Sequence, residues 1–279
     1  MSGTIYIVGT PIGNLSDFSP RAIETLKRVD FIAAEDTRVT LKLLNHFDIV
    51  KPLVSYHEHN LRQRGEVIIG RVLAGENAAI VSDAGMPCVS DPGEDLVRLA
   101  AEAGIQTVVI PGPSAAISAL CISGLPTSRF AFEGFLSTNR KNRREHLLSV
   151  QNDTHTLIFY EAPHKLLDTL GDMAAVFGEG RRVSLCREMT KIHEEVFRTT
   201  LGEAAAYYAE NTPKGEFVLI IEGAKPALPP EMPLEEAVEE AARLVAEGMR
   251  PTDAAKQVSA HTRFRKSEIY AALMAKPEA

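Results

Sequence analysis

Short runs of apolar residues alternate along this chain with longer segments in which apolar and polar residues recur every three or four positions. The runs at 5–8, 79–81 and 108–110 are rich in β-branched residues, which is typical of strands buried on both faces of a parallel sheet. Segments 20–29 and 93–103 have helical spacing instead. This alternation predicts an α/β fold with a mostly parallel sheet.

A second α/β block is predicted from residue 130 onward. Its candidate strands are 156–160, 183–186, 196–200 and 217–221, and its candidate helices are 165–176 and 203–210. Closely spaced prolines then interrupt all periodicity and predict a linker, after which three amphipathic segments follow at 234–247, 252–260 and 267–274. We therefore expect an α/β domain over residues 1–123, a second over 124–224, a linker over 225–233 and a C-terminal helical region over 234–279.

Composition narrows the class of protein. The 279 residues are 45% hydrophobic, yet no stretch approaches the roughly 20 apolar residues needed to cross a bilayer. The N-terminus lacks the basic start and long apolar middle of a secretory signal, so we expect a cytoplasmic protein that does not bind membranes. The three cysteines are isolated and are expected to be reduced. A formal net charge of -7 argues against a protein that coats nucleic acid nonspecifically. Local basic patches are still compatible with this net charge.

Each of the three strands of the first block ends in a loop rich in glycine and proline. The loops contain TPIGN, SDAGMP and PGPSA. Ligands of open α/β sheets collect beyond the carboxyl ends of the strands, where small residues let a ligand reach the main chain. Neither the dinucleotide-binding G-x-G-x-x-G pattern nor a P-loop occurs. The loops therefore predict either a ligand site of another kind or simple tight turns.

Longer motifs make the assignment specific. In chain order the sequence contains TIYIVGTPIGNLSDFSPRAIETLKRVDFIAAEDTR, SYHEHN, VSDAGMPCVSDPG, PGPSAAISAL, FEGFL, FYEAPHK and REMTK. Over residues 3–223 this series resembles the ribosomal RNA small subunit methyltransferase I family. The resemblance implies the tetrapyrrole methylase fold and methylation of the ribose 2′-hydroxyl of a cytidine in the decoding region of 16S rRNA. It also implies a homodimer.

The resemblance further implies that S-adenosylmethionine binds in a cleft between the two α/β domains. The positions that it assigns to the cofactor in the first domain are Pro11, Ile12, Gly13, Asn14, Ser82, Asp83, Ala84, Gly85, Met86, Pro111, Gly112, Ser114 and Ala115. In the second domain they are Tyr160, Glu161, Gly215 and Glu216.

Methyl transfer to a ribose needs alignment of three atoms and help in removing a proton from the hydroxyl. Glu35 and Asp36, after the apolar run 31–34, form one candidate cluster, and an ordinary N-cap is the alternative for the aspartate. Glu188 and Lys191, after the strand at 183–186, form another, with an ion-paired loop as the alternative. Glu161 ends a strand before a helix and is also compatible with a simple helix-entry acid.

Basic and histidine-rich segments are the candidates for RNA contact. They comprise Arg38, His57, His59, Arg140, Lys141, Arg143, Arg144 and Arg187. The two histidines lack a third ligand with familiar spacing, and we expect no metal site. A solvated helix face also explains the run at 140–144, and the terminal helices are compatible with either packing or a helix-turn-helix that binds RNA.

Two other functions remain compatible with these patterns. One is a methylase of a tetrapyrrole or of a modified protein residue, which would share the cofactor cleft. The other is an RNA-binding module without catalytic activity.

Overall fold

Five parallel strands form the first sheet, in the order β3-β2-β4-β1-β5. The strands are β1 (Thr4–Val8), β2 (Phe31–Ala34), β3 (Leu53–Ser55), β4 (Ala78–Val81) and β5 (Gln106–Ile110). The helices between them are α1 (Pro20–Arg28), α2 (Thr37–His46), α3 (Leu61–Leu73) and α4 (Gly93–Glu102). Because β1 lies between β4 and β5, the three glycine-rich loops that follow these strands leave the sheet side by side.

This structure is a computed structural model that describes residues 2–57, 61–225 and 232–275. The chain divides into two compact units, Met1–Ala224 and Lys225–Ala279. Within the described residues, no helix is long and apolar enough to span a membrane.

Local sequence explains where the elements of the first sheet begin and end. Every residue of β2 and β4 is buried, as their continuous apolar runs predict. Helix α1 starts with Pro20 in its first turn, and the Ser19 hydroxyl accepts a hydrogen bond from the backbone N–H of Ala22 at 3.1 Å. Gly104 has a φ of 66° just after α4, so the predicted helix stop is in the left-handed conformation that glycine favours.

The second sheet has the order β6-β7-β10-β8-β9. Its strands are β6 (Phe130–Phe135), β7 (Thr156–Glu161), β8 (Arg182–Arg187), β9 (Glu195–Thr200) and β10 (Phe217–Ile221). Among these strands, β6 pairs in parallel with β7, and the other pairs are antiparallel. The expectation of mostly parallel pairing, which came from strands of the first block, is confirmed for the first sheet, whereas the second sheet is mostly antiparallel. The loop joining β8 to β9 is too short for a parallel crossover.

Helix α5 (Ala115–Ile122) joins the two sheets. It follows the loop after β5, but its buried face packs on the second sheet in one apolar cluster. Its Ala116 N–H donates a hydrogen bond to the Tyr160 hydroxyl on β7 at 3.1 Å. The remaining helices of the second α/β half are α6 (Arg140–Ser149), α7 (Leu166–Phe177) and α8 (Leu201–Glu210). Since α5 is buried against both β7 and β10, the β5 loop is anchored to the second sheet.

The unit Lys225–Ala279 has a core of its own. Its helices are α9 (Leu234–Ala246), α10 (Pro251–Ser259) and α11 (Lys266–Ala275). Small and branched residues fill the space between them: Ala237, Val238, Ala241, Ala254, Ala255, Val258, Ile269 and Leu273. The three amphipathic segments in the sequence therefore correspond to three helices that bury one face each.

A buried ion pair connects α6 to α7. Arg143 donates from Nε and Nη2 to Oδ2 of Asp172 at 2.9 and 2.7 Å, and both side chains are about 95% buried. Arg140 contacts the other carboxylate oxygen at 3.3 Å from a side chain that is 73% exposed. Removing one partner of a buried pair leaves an uncompensated charge, whereas removing a solvated partner costs little.

We expect Asp172→Ala to lower the free energy of unfolding by about 3–5 kcal/mol, because it strands the Arg143 guanidinium in the interior. Arg140→Ala should cost less than about 1 kcal/mol. Urea denaturation of both variants measures the difference. The double variant Arg143→Met/Asp172→Leu should recover most of the lost stability, and equal losses in Asp172→Ala and Arg140→Ala would contradict the assignment.

Candidate active site

The loops after β1, β4 and β5 are tied together by main-chain contacts. Thr10 and Gly85 exchange two hydrogen bonds, with N···O distances of 2.9 and 3.2 Å. Gly9 and Gly112 lie so close that a Cβ on Gly9 would be 2.7 Å from the Cα of Gly112. The Gly112 N–H also donates to the sulfur of Met86 at 3.1 Å. The three predicted loops therefore form one rigid edge beyond the sheet.

This edge is built from short side chains, several of them exposed. Ser82 is buried, and its carbonyl accepts a hydrogen bond from the Thr10 hydroxyl at 3.3 Å. Asp83, Ala84 and Pro111 are exposed, and Ser114 is the N-cap of α5, of which Ala115 is the first residue. A ligand can thus approach the main chain of the β4 and β5 loops without displacing bulky side chains.

The β1 loop also reaches the second sheet. Ile12 is 9% exposed and packs in the apolar cluster between α5 and the second sheet, and Asn14 caps the following turn by accepting from the Ser16 N–H. Between these two residues, Gly13 lies against the loop after β8, where an added Cβ would be 2.4 Å from Cγ of Lys191. The loops of the two sheets therefore meet at Gly13.

Two carboxylates hold Lys191 at this meeting point. Its ammonium donates to Oε1 of Glu188 at 2.8 Å and to Oε2 of Glu216 at 2.9 Å. The Glu216 N–H also donates to Oε1 of Glu188, and Gly215 leaves room for that side chain, since an added Cβ would be 2.4 Å from its Cγ. Sequence reasoning predicted Glu188, Lys191, Gly215 and Glu216 as site residues, and the structure brings them together with Gly13.

The charges in this cluster stabilise each other. The hydrogen bond from Lys191 is the main reason that the pKa of Glu188 is lowered. Burial opposes the charge of Lys191, but its hydrogen bonds to Glu188 and Glu216 outweigh that penalty and raise its pKa. Both groups are therefore ionised at neutral pH.

The loop that carries Lys191 is strained. Glu188 and Thr190 have φ values of 52° and 66°, a region that costs a non-glycine residue about 1–3 kcal/mol. The Thr190 hydroxyl is buried without a hydrogen-bond partner among the described residues, and it lies 3.1 Å from the position of a Cβ on Gly13. Sequence reasoning missed Thr190 because nothing in the residue type indicates a left-handed backbone.

A second polar cluster follows β2, where Asp36 is the N-cap of α2. Its side chain accepts from the Arg38 N–H at 2.8 Å and from the Arg38 guanidinium at 2.6 Å, and these interactions lower its pKa to about 2. Its own N–H donates to Asp83 at 3.0 Å, and burial raises the pKa of that carboxyl. Glu35 lines a small cavity beside Ser82 and Tyr56. Asp36 is thus the N-cap of α2, which was the alternative to a catalytic role. Glu35 stays a candidate, because it lies beside the β4 loop.

Glu161 has no exposed carboxylate to offer a ligand. The side chain is 2% exposed and accepts hydrogen bonds from the Ala162 N–H at 2.9 Å and from the Thr169 hydroxyl at 2.6 Å. It therefore connects the end of β7 to α7, as expected of a helix-entry acid. Neighbouring Tyr160 packs against Phe135, whose ring is 5.3 Å away and 60% exposed.

The predicted RNA-contacting residues differ in their accessibility. Arg140, Lys141 and Arg144 are exposed on α6, whereas Arg143 is buried on Asp172 and cannot reach RNA phosphates from that position. Arg187 pairs with Glu195 at 2.8 Å. Arg38 is exposed beside Asp36, His57 follows β3, and His59 lies outside the described residues. In the described ranges no group of three His, Cys, Asp or Glu side chains is arranged to hold a metal ion.

Comparisons with known proteins agree with this architecture. The pattern of the Tetrapyrrole (Corrin/Porphyrin) Methylases matches residues 4–205. A protein of Synechocystis sp. named Ribosomal RNA small subunit methyltransferase I is 48% identical over 268 residues, which is 96% of each chain. A protein of the same name from Halalkalibacterium halodurans is 51% identical over 96% of this chain and 93% of its own.

Two further comparisons each cover 79% of this chain. A protein of Thermotoga maritima with the same name is 47% identical over 221 residues, which cover 79% of this chain but 99% of that relative. Among solved structures, diphthine synthase superposes with a TM-score of 0.60 at 14% identity, over 79% of this chain and 90% of that one, and so shares the fold. The chain therefore belongs to the tetrapyrrole (corrin/porphyrin) methylase family and, within it, to the ribosomal RNA small subunit methyltransferase I family.

Proposed function

We propose that this chain transfers a methyl group from S-adenosylmethionine to the ribose 2′-hydroxyl of a cytidine in the decoding region of 16S rRNA. Relatives that are about half identical over nearly the whole chain are named as methyltransferases of small-subunit rRNA. The observation that carries the proposal is the meeting of the β1 and β8 loops, where Lys191 is held over Gly13 by Glu188 and Glu216.

The methyl donor of this family is S-adenosylmethionine, which supplies an electrophilic methyl group on a sulfonium. The residues present fit such a ligand. Gly9 and Gly112 bring no side chains of their own to the crossing, where a Cβ on Gly112 would be 2.8 Å from the Cα of Gly9. The main chain of the loops 82–86 and 111–115 would hold the nucleoside and the amino-acid part of the donor, because both need closely placed backbone donors and acceptors.

The residues around Lys191 would act on the ribose hydroxyl. As the new O–C bond forms and the S–C bond breaks, the hydroxyl proton must leave the oxygen. An ammonium beside that oxygen lowers its pKa, and Lys191 is kept charged for this purpose by its two carboxylates. The ammonium of Lys191 and the N–H of Glu216 both donate to Oε1 of Glu188, so Oε2 is the atom placed to accept the proton. Glu35, beside the β4 loop, is the second candidate for this role.

RNA phosphates would bind the exposed cations of α6, Arg140, Lys141 and Arg144, together with Arg38. Arg143 is left out of this surface because its guanidinium is buried on Asp172. A ribosomal substrate implies action in the cytoplasm.

The proposal includes a homodimer. The alanine-rich face of α5 is used within the chain, since Ala116 and Ala119 are buried against the second sheet. A dimer contact on this side would therefore use the exposed Ile117 and the edge strand β5, where Val109 is also exposed.

Substituting Gly112 tests the cofactor site. Gly112→Ala places a Cβ against the backbone of Gly9, so the β1 and β5 loops must separate and the affinity for S-adenosylmethionine should fall at least about tenfold, equivalent to about 1.4 kcal/mol. Isothermal titration calorimetry measures this change. The matched control is Gly70→Ala in α3, where an added Cβ meets nothing within 4 Å and the affinity should be unchanged. Equal affinities of the wild type and Gly112→Ala for S-adenosylmethionine would contradict the assignment of these loops to the cofactor site.

Substituting Lys191 tests the catalytic assignment. Lys191→Met should lower kcat by about 10²–10⁴-fold while donor affinity changes little, and Lys191→Arg should retain part of the activity because it keeps the charge. Glu188→Gln should also lower kcat. In the wild type, activity should be lost as pH falls through the lowered pKa of Glu188 and as pH rises through the raised pKa of Lys191. An unchanged kcat in Lys191→Met would exclude it from catalysis.

The substrate is tested directly with purified protein, labelled S-adenosylmethionine and small subunits from cells that lack this enzyme. We expect one methyl group per subunit, at a cytidine of the decoding region, as mapped by nuclease digestion and mass spectrometry. The phosphodiester bond on the 3′ side of that cytidine should resist alkaline hydrolysis. A methyl group on a base, or on a tetrapyrrole or protein offered in parallel, would contradict the proposal. Absence of transfer to any acceptor would instead favour a binding module.

A further inference from the structure

Positive charge is concentrated in one part of the unit Lys225–Ala279. Helix α9 contains four glutamates and one arginine. Residues 250–266 instead contain five cations and Asp253 as the single acid. Acids and cations are thus grouped in different parts of the sequence of this unit, although Glu240 of α9 contacts His261 at 3.1 Å.

Three of these cations form the basic turn, which we define as Arg263 and Arg265, between α10 and α11, together with Lys266, the first residue of α11. All three residues are exposed, and none forms an ion pair among the described residues of the chain. Exposed arginines elsewhere do find acids: Arg98, for example, contacts both Asp95 and Glu102 at 2.9 Å. Three like charges within four residues repel each other, so the turn is electrostatically suited to an anionic partner.

The backbone of the basic turn is nevertheless ordered by local contacts. Glu268 accepts a hydrogen bond from the Arg265 N–H at 2.6 Å at the start of α11, and Thr262 is 6% exposed. The Arg263 guanidinium lies 5.4 Å from the centre of the Phe264 ring. The turn is thus anchored to its own unit while its charged groups face solvent, so a partner could bind these cations without first ordering the backbone.

The pattern of the tetrapyrrole methylases ends at residue 205, before this unit begins. The length of the match to the Thermotoga maritima relative agrees with a methylase fold that is complete without this unit. The match of 221 residues covers 99% of that relative and is about as long as the first unit, Met1–Ala224. All residues assigned above to the donor and to Lys191 also lie in the first unit. The basic turn is therefore not needed to build the reaction site, and a role in binding the substrate suits it better.

We propose that the basic turn binds the phosphate backbone of the rRNA substrate and raises the affinity for it without taking part in the reaction. This inference rests on the proposed function, since it assumes an RNA substrate. Contacts to phosphate fix position but do not read bases, and they weaken as salt displaces the protein from the polyanion.

The test uses the full chain with Arg263→Glu/Arg265→Glu. We expect KM for small subunits to rise at least about tenfold with kcat unchanged, and the slope of log KM against log salt to fall by about two, one for each phosphate contact. Arg263→Gln/Arg265→Gln should give a smaller rise in KM. Glutamates next to the N-terminus of α11 are favourable to the helix, so the folding of the unit should be preserved.

The matched control is Lys27→Glu/Arg243→Glu, which makes the same change in net charge at exposed residues of α1 and α9. Its KM should remain close to that of the wild type. A comparable rise in the control would show an effect of net charge alone and overturn the inference, as would a wild-type KM and salt slope in Arg263→Glu/Arg265→Glu. Failure of the proposed function is distinct, because the wild type would then transfer no methyl group to the subunit.

Binding of a protein-free fragment of 16S rRNA, measured by fluorescence anisotropy, decides between RNA and protein as the partner. Weaker binding of the fragment by Arg263→Glu/Arg265→Glu supports the phosphate contact. A rise in KM for whole subunits without any loss of fragment binding would assign the turn to a ribosomal protein and overturn the inference.

Discussion

The main chains of the loops after β1 and β5 are in direct contact at Gly9 and Gly112. No side chain can be added at either glycine without moving the backbone of the other loop. Because α5 follows the β5 loop and is buried on the second sheet, the crossing fixes the β1 loop relative to both sheets. The paired hydrogen bonds between Thr10 and Gly85 bring in the β4 loop. One close approach thus holds the three glycine-rich loops in register.

The electrostatics of the site depend on the same geometry. Gly13 lets the β1 loop lie against Lys191, and Gly215 makes room for the Glu188 side chain that holds it. The positive φ values of Glu188 and Thr190 occur in this same loop, whose Thr190 and Lys191 side chains lie against Gly13. Backbone strain, glycine contacts and a charged cluster are therefore three aspects of one junction.

Sequence reasoning worked where local chemistry decides the outcome. The strands β1, β4 and β5 were predictable because their apolar runs are continuous, and the C-terminal helices because their apolar faces are periodic. The expected burial on both faces is wrong for β5, which lies at the edge of the sheet with Val109 exposed. Sequence reasoning did not find β3, which has three half-buried residues, or α3. The burial of Arg143 was also not predictable from the sequence, because its partner Asp172 lies 29 residues away on another helix. Likewise, the positive φ of Thr190 follows from packing between distant loops rather than from residue type.

The net charge of this chain does not describe how its exposed cations are distributed. The total is -7, yet the exposed cations Lys141 and Arg144 on α6 and those of the basic turn are grouped rather than spread. At a physiological Debye length of about 8 Å, a phosphate at the surface responds mainly to the nearest few charges. An excess of acids over the whole molecule opposes indiscriminate adsorption to RNA. Local groups of cations still attract phosphates when the protein is oriented with those groups toward the RNA. An acidic protein can therefore select a single arrangement on an RNA surface that a uniformly basic one would bind in many.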